Sequence, residues 1–327
     1  PIENAAMADR TIIEWDKNDI DVMGMMKIDV LALGMLTCVR KSFDMLRLWK
    51  GVHVTMANCP QDDSATYDMI CLADTLGVFQ IESRAQMQFL PRMRPRKFYD
   101  LIIEVAIIRP GPIQGDMVHP YLKRRRGEEP VIYPSDDLKP ALKKTLGIPL
   151  FQEQAMEIAS IAAGFTPSEA DHLRRSLASS SGPGRIQIHR ERFFQGCLDN
   201  GYEQTFAENV FRQLEGFSGY GFPQSHAASF ALIVYVSCWL KCHHPEVFGC
   251  ALLNSQSMGL YAPAQIVQDM ERHNVQVLPI SVEHSFWDCS LEPDGTGNLA
   301  VRLGFRQIKG LPEEEARWIT GARGNGY

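Results

Sequence analysis

The segment Gly219-Tyr-Gly-Phe-Pro-Gln-Ser-His-Ala-Ala-Ser-Phe230 is the most informative stretch of the 327-residue chain. Two glycines and Pro223 make a tight lead-in. Ser225 and His226 then fall in the first turn of a helix predicted over 224–242, where unpaired backbone N–H groups favour an anion. Ala227 and Ala228 leave space for close approach. A capped helix with small packing residues explains the alanines. It does not explain why polar, small and aromatic side chains cluster so densely.

Working outward, helical patterns dominate from about 64 to 275. Phe98, Leu101, Ile102, Val105 and Ile108 recur at helical spacing until Arg109-Pro-Gly-Pro112 breaks them. Helices are predicted over 35–49, 152–163, 188–199 and 204–215. Thr166-Pro-Ser-Glu169 is a strong helix start, with Thr as N-cap, Pro at the first position and Glu three after the cap. That helix carries Arg174-Arg175 and stops near 179–184. Two guanidinium groups can fork onto anionic oxygens, although a solvated helix surface is the plainer account of any adjacent pair. Adjacent helix residues point about 100° apart, so the pair is not expected to lie side by side. The two arginines would grip different oxygens, or one would brace the fold. Residues 21–36 read as a strand leading into a helix, with Lys27 and Asp29 on one face and Ile28 and Val30 on the other. Short strands are predicted over 275–280, 287–291 and 299–303, and Gly310-Leu-Pro312 opens a helix. The predicted fold is mostly α with a small β contribution.

A hydrophobic content of 45% is ordinary for a globular protein. The chain has no wholly apolar run of about 18 residues, so a membrane span is not expected. Pro1-Ile-Glu-Asn4 lacks a secretory pattern and an initiator Met, and the ends read as those of a fragment. The eight cysteines form no Cys-x-x-Cys pair and suit free thiols in a reducing cytoplasm. Cys238, Cys242, His243 and His244 invite a metal reading. A core helix with small apolar cysteines, ending before Pro245, is the stronger one. The net charge of −6 alone argues against nucleic acid. Yet between Arg84 and Arg126 ten Lys/Arg face three acids. Arg92, Arg94, Arg96, Lys97, Lys123, Arg124, Arg125 and Arg126 form the candidate nucleic-acid-binding face, the pattern of a channel that tracks phosphates. From charge alone, a solvated surface remains the favoured reading.

Taken together, the segments resemble the bacterial C-family DNA polymerases, the DNA polymerase III alpha-subunit family. The resemblance rests on Lys27-Ile-Asp-Val-Leu-Ala-Leu-Gly34, Gly77-Val-Phe-Gln-Ile-Glu-Ser-Arg84, Arg109-Pro-Gly-Pro-Ile-Gln114, Leu150-Phe-Gln-Glu-Gln154, Leu173-Arg-Arg175 and Gly219 to His226, which follow in the family's order. It covers about 14–309. It implies a polymerase-beta-like palm ending within 1–37, fingers over 38–282, and a short-strand segment over 283–327 leading into an incomplete helix-hairpin-helix region.

The resemblance also implies roles. Asp29 matches the third of three aspartates that hold two Mg²⁺ ions, and the other two should lie upstream. Lys27 matches a lysine near the primer end and the nucleotide phosphates. Arg174 and Arg175 match a pair that engages the incoming deoxynucleoside triphosphate. Ser225 and His226 match the segment beside the sugar, and Arg109 and Gln114 a segment lining the cleft. Primer–template DNA, the sliding clamp and damage-response accessory proteins are the implied partners, with no membrane. One departure stands out: Ser176 to Gly184 replaces a Gly-Lys-Lys run of the replicative members. Leu253 to Tyr261, Ala264 to Asp269 and Trp287-Asp-Cys-Ser290 resemble the error-prone, translesion branch. A replicative alpha subunit and a non-catalytic nucleic-acid-binding module derived from fingers stay open as alternatives.

Overall fold

The computed structural model describes residues 2–7, 9–26, 28, 30–108, 115–178, 183–216, 222–256 and 261–323. The chain divides into two compact units, residues 1–33 and 34–327. In the first, β1 (Ile2–Asn4) pairs antiparallel with β2 (Thr11–Ile13), Ile2 opposite Ile13. Helix α1 (Lys17–Val22) follows. It starts where Asp16 and Asp19 cap each other, each backbone N–H donating to the other's carboxylate at 3.1 and 3.0 Å. No strand occurs among the described residues of 21–36, so the predicted strand is not seen. Lys27 and Asp29 themselves lie outside the described residues. Met26, Ile28 and Val30 are exposed in this unit.

The second unit begins with α2 (Leu33–Lys50), whose Met35, Cys38, Val39, Ser42 and Leu46 form one buried stripe. Helices α3 (Ser64–Cys71), α4 (Arg84–Met93), α5 (Phe98–Ile107) and α6 (Gly115–Arg125) follow. Asp63 caps α3 through the Thr66 N–H at 2.8 Å, and Ser83 forms a capping box with Gln86 on α4. The long helix α12 (Gln224–His243) packs on α5, on α3 and on α13 (Pro245–Leu253). Leu101, Ile103, Val105 and Ile107 on α5 are buried, as are Ala231, Val234, Val236, Cys238 and Leu240 on α12. Each large aliphatic side chain buried there contributes roughly 1.5–3 kcal/mol. By length and composition α12 could cross a membrane, which the lack of a wholly apolar run conceals. Yet 67% of its apolar stretch is buried inside the protein.

A second core lies under α7 (Lys139–Leu142), α8 (Gln152–Ala163), α9 (Pro167–Ala178), α10 (Arg190–Asp199) and α11 (Gln204–Gly216). Its α8 presents Ala155, Ala159, Ala162 and Ala163, all buried, so neighbours approach closely. The tightest approach is at Gly196 on α10, where a Cβ would meet the Ala163 carbonyl oxygen at 2.0 Å. α9 starts as the sequence predicts, with Thr166 N–H donating to Glu169 and Glu169 N–H donating to the Thr166 hydroxyl.

After α14 (Pro263–Arg272) the chain forms a three-stranded sheet in the order β3-β5-β4. β3 (Val277–Leu278) is parallel to β5 (Leu299–Arg302), and β4 (Ser290–Pro293) is antiparallel to it. These match the three predicted strands within a few residues. The Asn254 amide pins the sheet to the end of α13: it donates to Cys289 O at 2.7 Å and accepts from Cys289 N–H at 2.8 Å. Helix α15 (Glu313–Arg323) follows.

A buried cation sits inside this architecture. Lys241, near the C-terminus of α12, is 1% exposed. Its ammonium donates to Asp74 at 3.0 Å, Asp269 at 2.8 Å and the Leu76 carbonyl at 3.1 Å. His273 bonds Asp74 from the other side at 2.6 Å. Burial works to raise the Asp74 carboxyl, but the His273 hydrogen bond and the ammonium hold it down at about 2. Lys241→Met removes the cation and leaves the half-buried Asp74 carboxylate and the more deeply buried Asp269 carboxylate without it. In urea unfolding the substitution is expected to cost about 3–5 kcal/mol. A loss within the roughly 0.5 kcal/mol scatter of surface substitutions would contradict this role.

Candidate functional site

Three of the sequence motifs meet at the start of α12. Phe151 and Phe222 form an isolated parallel bridge, and Gln152 N–H donates to the Phe222 carbonyl at 3.0 Å. Two residues past Phe222, Gln224 N–H is shared by both carboxylate oxygens of Glu153 at 2.9 and 3.1 Å. The helix start therefore faces an anion, as its dipole favours, and that anion is Glu153. Gln154 is buried and fully used. Its carbonyl accepts from the Leu150 and Phe151 N–H groups, and its amide donates to Ala141 O and the Thr145 hydroxyl. Gln154 shapes the 150–154 turn, and Glu153 is the member that reaches the site.

Ser225 is exposed. His226 is half-buried, 5.0 Å from the Phe222 ring and edge-on to Phe230 at 4.3 Å. Burial lowers the His226 pKa, so the ring is neutral at pH 7. Phe230 also touches Phe79 at 5.3 Å, which brings in the 77–84 motif. Gly77 sits at a φ of +80°, and a Cβ there would meet Leu252 Cδ2 at 2.5 Å. Gln80 holds a left-handed φ of 70°, an uncommon conformation for a residue with a side chain. Burial pushes the Glu82 carboxyl up to about 7, against hydrogen bonds from Tyr261 and the Gly77 backbone. Glu82 Oε2 has no hydrogen-bond partner among the described residues.

Arg174 and Arg175 lie in the last two turns of α9. Contrary to the expectation from helix geometry, their tips converge. Arg174 Nε and Nη2 both reach Asp171 Oδ1 at 2.9 Å, and Arg175 Nη2 reaches Asp171 Oδ2 at 2.6 Å. Long side chains leaning toward the helix N-terminus can meet a residue three or four positions back although their Cα–Cβ bonds diverge. No hydrogen bond or ion pair joins either arginine to the 222–230 segment among the described residues.

The basic region is more neutralised than its sequence suggests. Arg125 forks onto the buried Asp100 at 2.9 and 2.7 Å and also donates to Met93 O and Arg94 O. Arg124 donates to Leu146 O at 2.7 Å. Both brace the fold. Arg96 pairs with Asp68, Lys123 with Glu129 and Arg126 with Glu128. These last three acids lie outside the counted window, and folding brings them in. Arg92, Arg94 and Lys97 are exposed, with no acidic partner among the described residues.

The eight cysteines are free thiols. Burial pushes Cys38 up to about 12, and Cys59 and Cys197 to about 11, so these stay protonated. Asp63, Cys242 and His243 lie within reach of one ion, as do Asp74, Asp269 and His273. In the first group His243 already bonds the Asp63 cap at 2.8 Å. In the second the Lys241 ammonium bonds both carboxylates. Arg109 and Gln114, like Lys27 and Asp29, lie outside the described residues. Glu82 stands out in the sequence as a polar residue in an apolar run, but sequence reasoning missed Glu153 and Asp171. Of these two, only Asp171 left a usable signal, its spacing from the two arginines.

A family model described as the bacterial DNA polymerase III alpha subunit finger domain matches residues 35–201, and a helix-hairpin-helix motif matches 274–327. The error-prone DNA polymerase of Ruegeria pomeroyi is 62% identical over 327 residues, covering 100% of this chain and 30% of that protein. Those of Pseudomonas savastanoi pv. phaseolicola and Pseudomonas aeruginosa are 60% and 58% identical, each over 99% of this chain. The chain spans about a third of the length of these curated relatives.

Glu82 gives the site a measurable pH signature. Its folded pKa lies above the usual carboxylate value of 4.5. The folded chain thus keeps a proton that the unfolded chain releases, and stability falls as pH rises between those values. Glu82→Gln is expected to be close to neutral at pH 4 and stabilising by roughly 1–3 kcal/mol at pH 8, allowing for solvent screening. A stability difference that does not change between these pH values would place Glu82 in ordinary solvent.

Proposed function

The chain belongs to the bacterial DNA polymerase III alpha subunit finger-domain family, and on that premise we propose that it is part of an error-prone DNA polymerase. In this reading it supplies the fingers and the adjoining end of the palm. The intact protein extends a primer 3′ end with deoxynucleotides, opposite damaged as well as normal template, in the cytoplasm. The observation that carries the reading is the convergence of the 77–84, 150–154 and 222–230 segments on the start of α12 through Phe79, Phe230, His226 and Phe222. The names of the relatives favour the error-prone branch over a replicative alpha subunit.

The residues divide the work as follows. Arg174 and Arg175 take the triphosphate through charge-assisted hydrogen bonds. Ser225 and the neutral, ring-packed His226 border the sugar. Arg109 and Gln114 line the cleft. Arg92, Arg94 and Lys97 contact DNA phosphates, with Arg96, Lys123 and Arg126 available once their surface ion pairs exchange. Asp29 would hold metal, with Lys27 beside it. Two Mg²⁺ ions, when bound, would stabilise the attacking 3′-oxygen and the leaving pyrophosphate. We assign residues 1–37 to the palm, 38–282 to the fingers and 283–327 to the lead into a helix-hairpin-helix region that grips duplex DNA. The sliding clamp and damage-response accessory proteins complete the proposed partners.

Steady-state primer extension by the full-length polymerase tests these roles. Loss of a charge-assisted contact costs roughly 1.5–3 kcal/mol, so Arg174→Ala or Arg175→Ala should raise the KM for deoxynucleotides about 10- to 150-fold. DNA affinity should change less. His226→Ala should alter discrimination between deoxy- and ribonucleotides. Asp29→Asn should abolish incorporation in a folded protein. Normal nucleotide KM and sugar selectivity in the three finger variants would refute the site, and near-normal turnover in Asp29→Asn would remove its metal role.

A further inference from the structure

We propose that Asp171 is a positioning residue for the incoming triphosphate, holding the Arg174 and Arg175 guanidiniums together as one two-pronged receptor. The inference rests on reading those arginines as triphosphate ligands.

The geometry supports it on three counts. First, adjacent helix residues diverge, and two guanidiniums repel each other; without a shared partner nothing brings their tips together. Asp171 lies three and four residues before them, the spacing from which one carboxylate can reach both. Each of its oxygens holds a different arginine. Second, the attachment consumes few donors. Arg174 commits Nε and Nη2, and Arg175 commits Nη2. Among the described residues, most N–H groups on both guanidiniums have no other partner and can take a second anion. Third, the helix beneath is already fixed. Leu173 and Leu177 are buried in the second core, and Thr166 caps the N-terminus. The freedom left to the receptor is that of two long side chains, and ordering such side chains on binding weakens affinity. Asp171 removes that freedom beforehand. The Arg174 hydrogen bond, more than Arg175, keeps the Asp171 carboxyl below the usual range, so the clamp is ionised at neutral pH.

A carboxylate merely occupying the phosphate position would behave in the opposite way, since its removal would tighten nucleotide binding. Asp171→Ala, Asp171→Asn and Asp171→Glu in the full-length polymerase, beside Arg174→Ala and Arg175→Ala, separate the cases. Deoxynucleotide KM, kcat, DNA affinity and melting temperature are measured for each. Asp171→Ala is expected to raise the nucleotide KM roughly 2- to 10-fold. Its kcat and DNA affinity should be unchanged, Asp171→Glu should recover part of the loss, and the melting temperatures should match. If Asp171→Ala proves unstable, the near-isosteric Asp171→Asn carries the same expectation. An unchanged or lowered KM in Asp171→Ala, or in Asp171→Asn if that variant stands in, overturns the inference while the arginine variants still show raised KM. If the arginine variants themselves keep normal KM, the reading of the pair fails first, and the inference falls with it.

Discussion

A single ammonium in the core sets the position of the helix that carries the site. Lys241 ties the C-terminal part of α12 to Asp74, Asp269 and the Leu76 carbonyl at once. Leu76 immediately precedes Gly77, so the same charge fixes the entry of the 77–84 segment. At its other end α12 is fastened by Phe222 against Phe151 and by Gln224 against Glu153. A helix held at both ends cannot slide or rotate without breaking charged or backbone hydrogen bonds. His226 and Phe230 therefore inherit a defined place.

The two cores of the second unit have different characters, and the site uses both. Around α12 and α5 the packing is of large aliphatic and aromatic side chains, which give a stiff support. Around α8 the alanine face and Gly196 let helices approach closely, which places α9 firmly on its neighbours. The 150–154 turn belongs to the second core yet bonds to the start of α12. It joins the start of α12, which carries His226, to the core on which α9 carries Arg174 and Arg175.

Much of this was legible because it is local. The helices at 152–163 and 167–178, and the Thr166 cap, follow from side chains within a few residues of one another. So do the three short strands near the C-terminus. What depended on distant partners was not legible. The basic window between Arg84 and Arg126 looked like an open cationic face, but Asp68, Glu128 and Glu129 lie outside it and Asp100 inside it is buried under Arg125. The role of Lys241 left no local signal, because its carboxylate partners come from 74 and 269. The predicted strand near 21–36 failed for another reason. Its alternation was short, the described residues between α1, which ends at Val22, and α2, which begins at Leu33, form no strand, and Lys27 and Asp29 lie outside the described residues. The convergence of Arg174 and Arg175 was hidden by reasoning from Cα–Cβ directions alone.

The proposed function requires the arginine pair and His226 to act on one nucleotide. The most direct measurement is an experimental structure of the full-length polymerase with primer–template DNA and a non-hydrolysable deoxynucleoside triphosphate. The account predicts the triphosphate bound by both Arg174 and Arg175, and the sugar packed beside His226. A triphosphate bound elsewhere, with the two arginines closed on Asp171 and facing solvent, would contradict it.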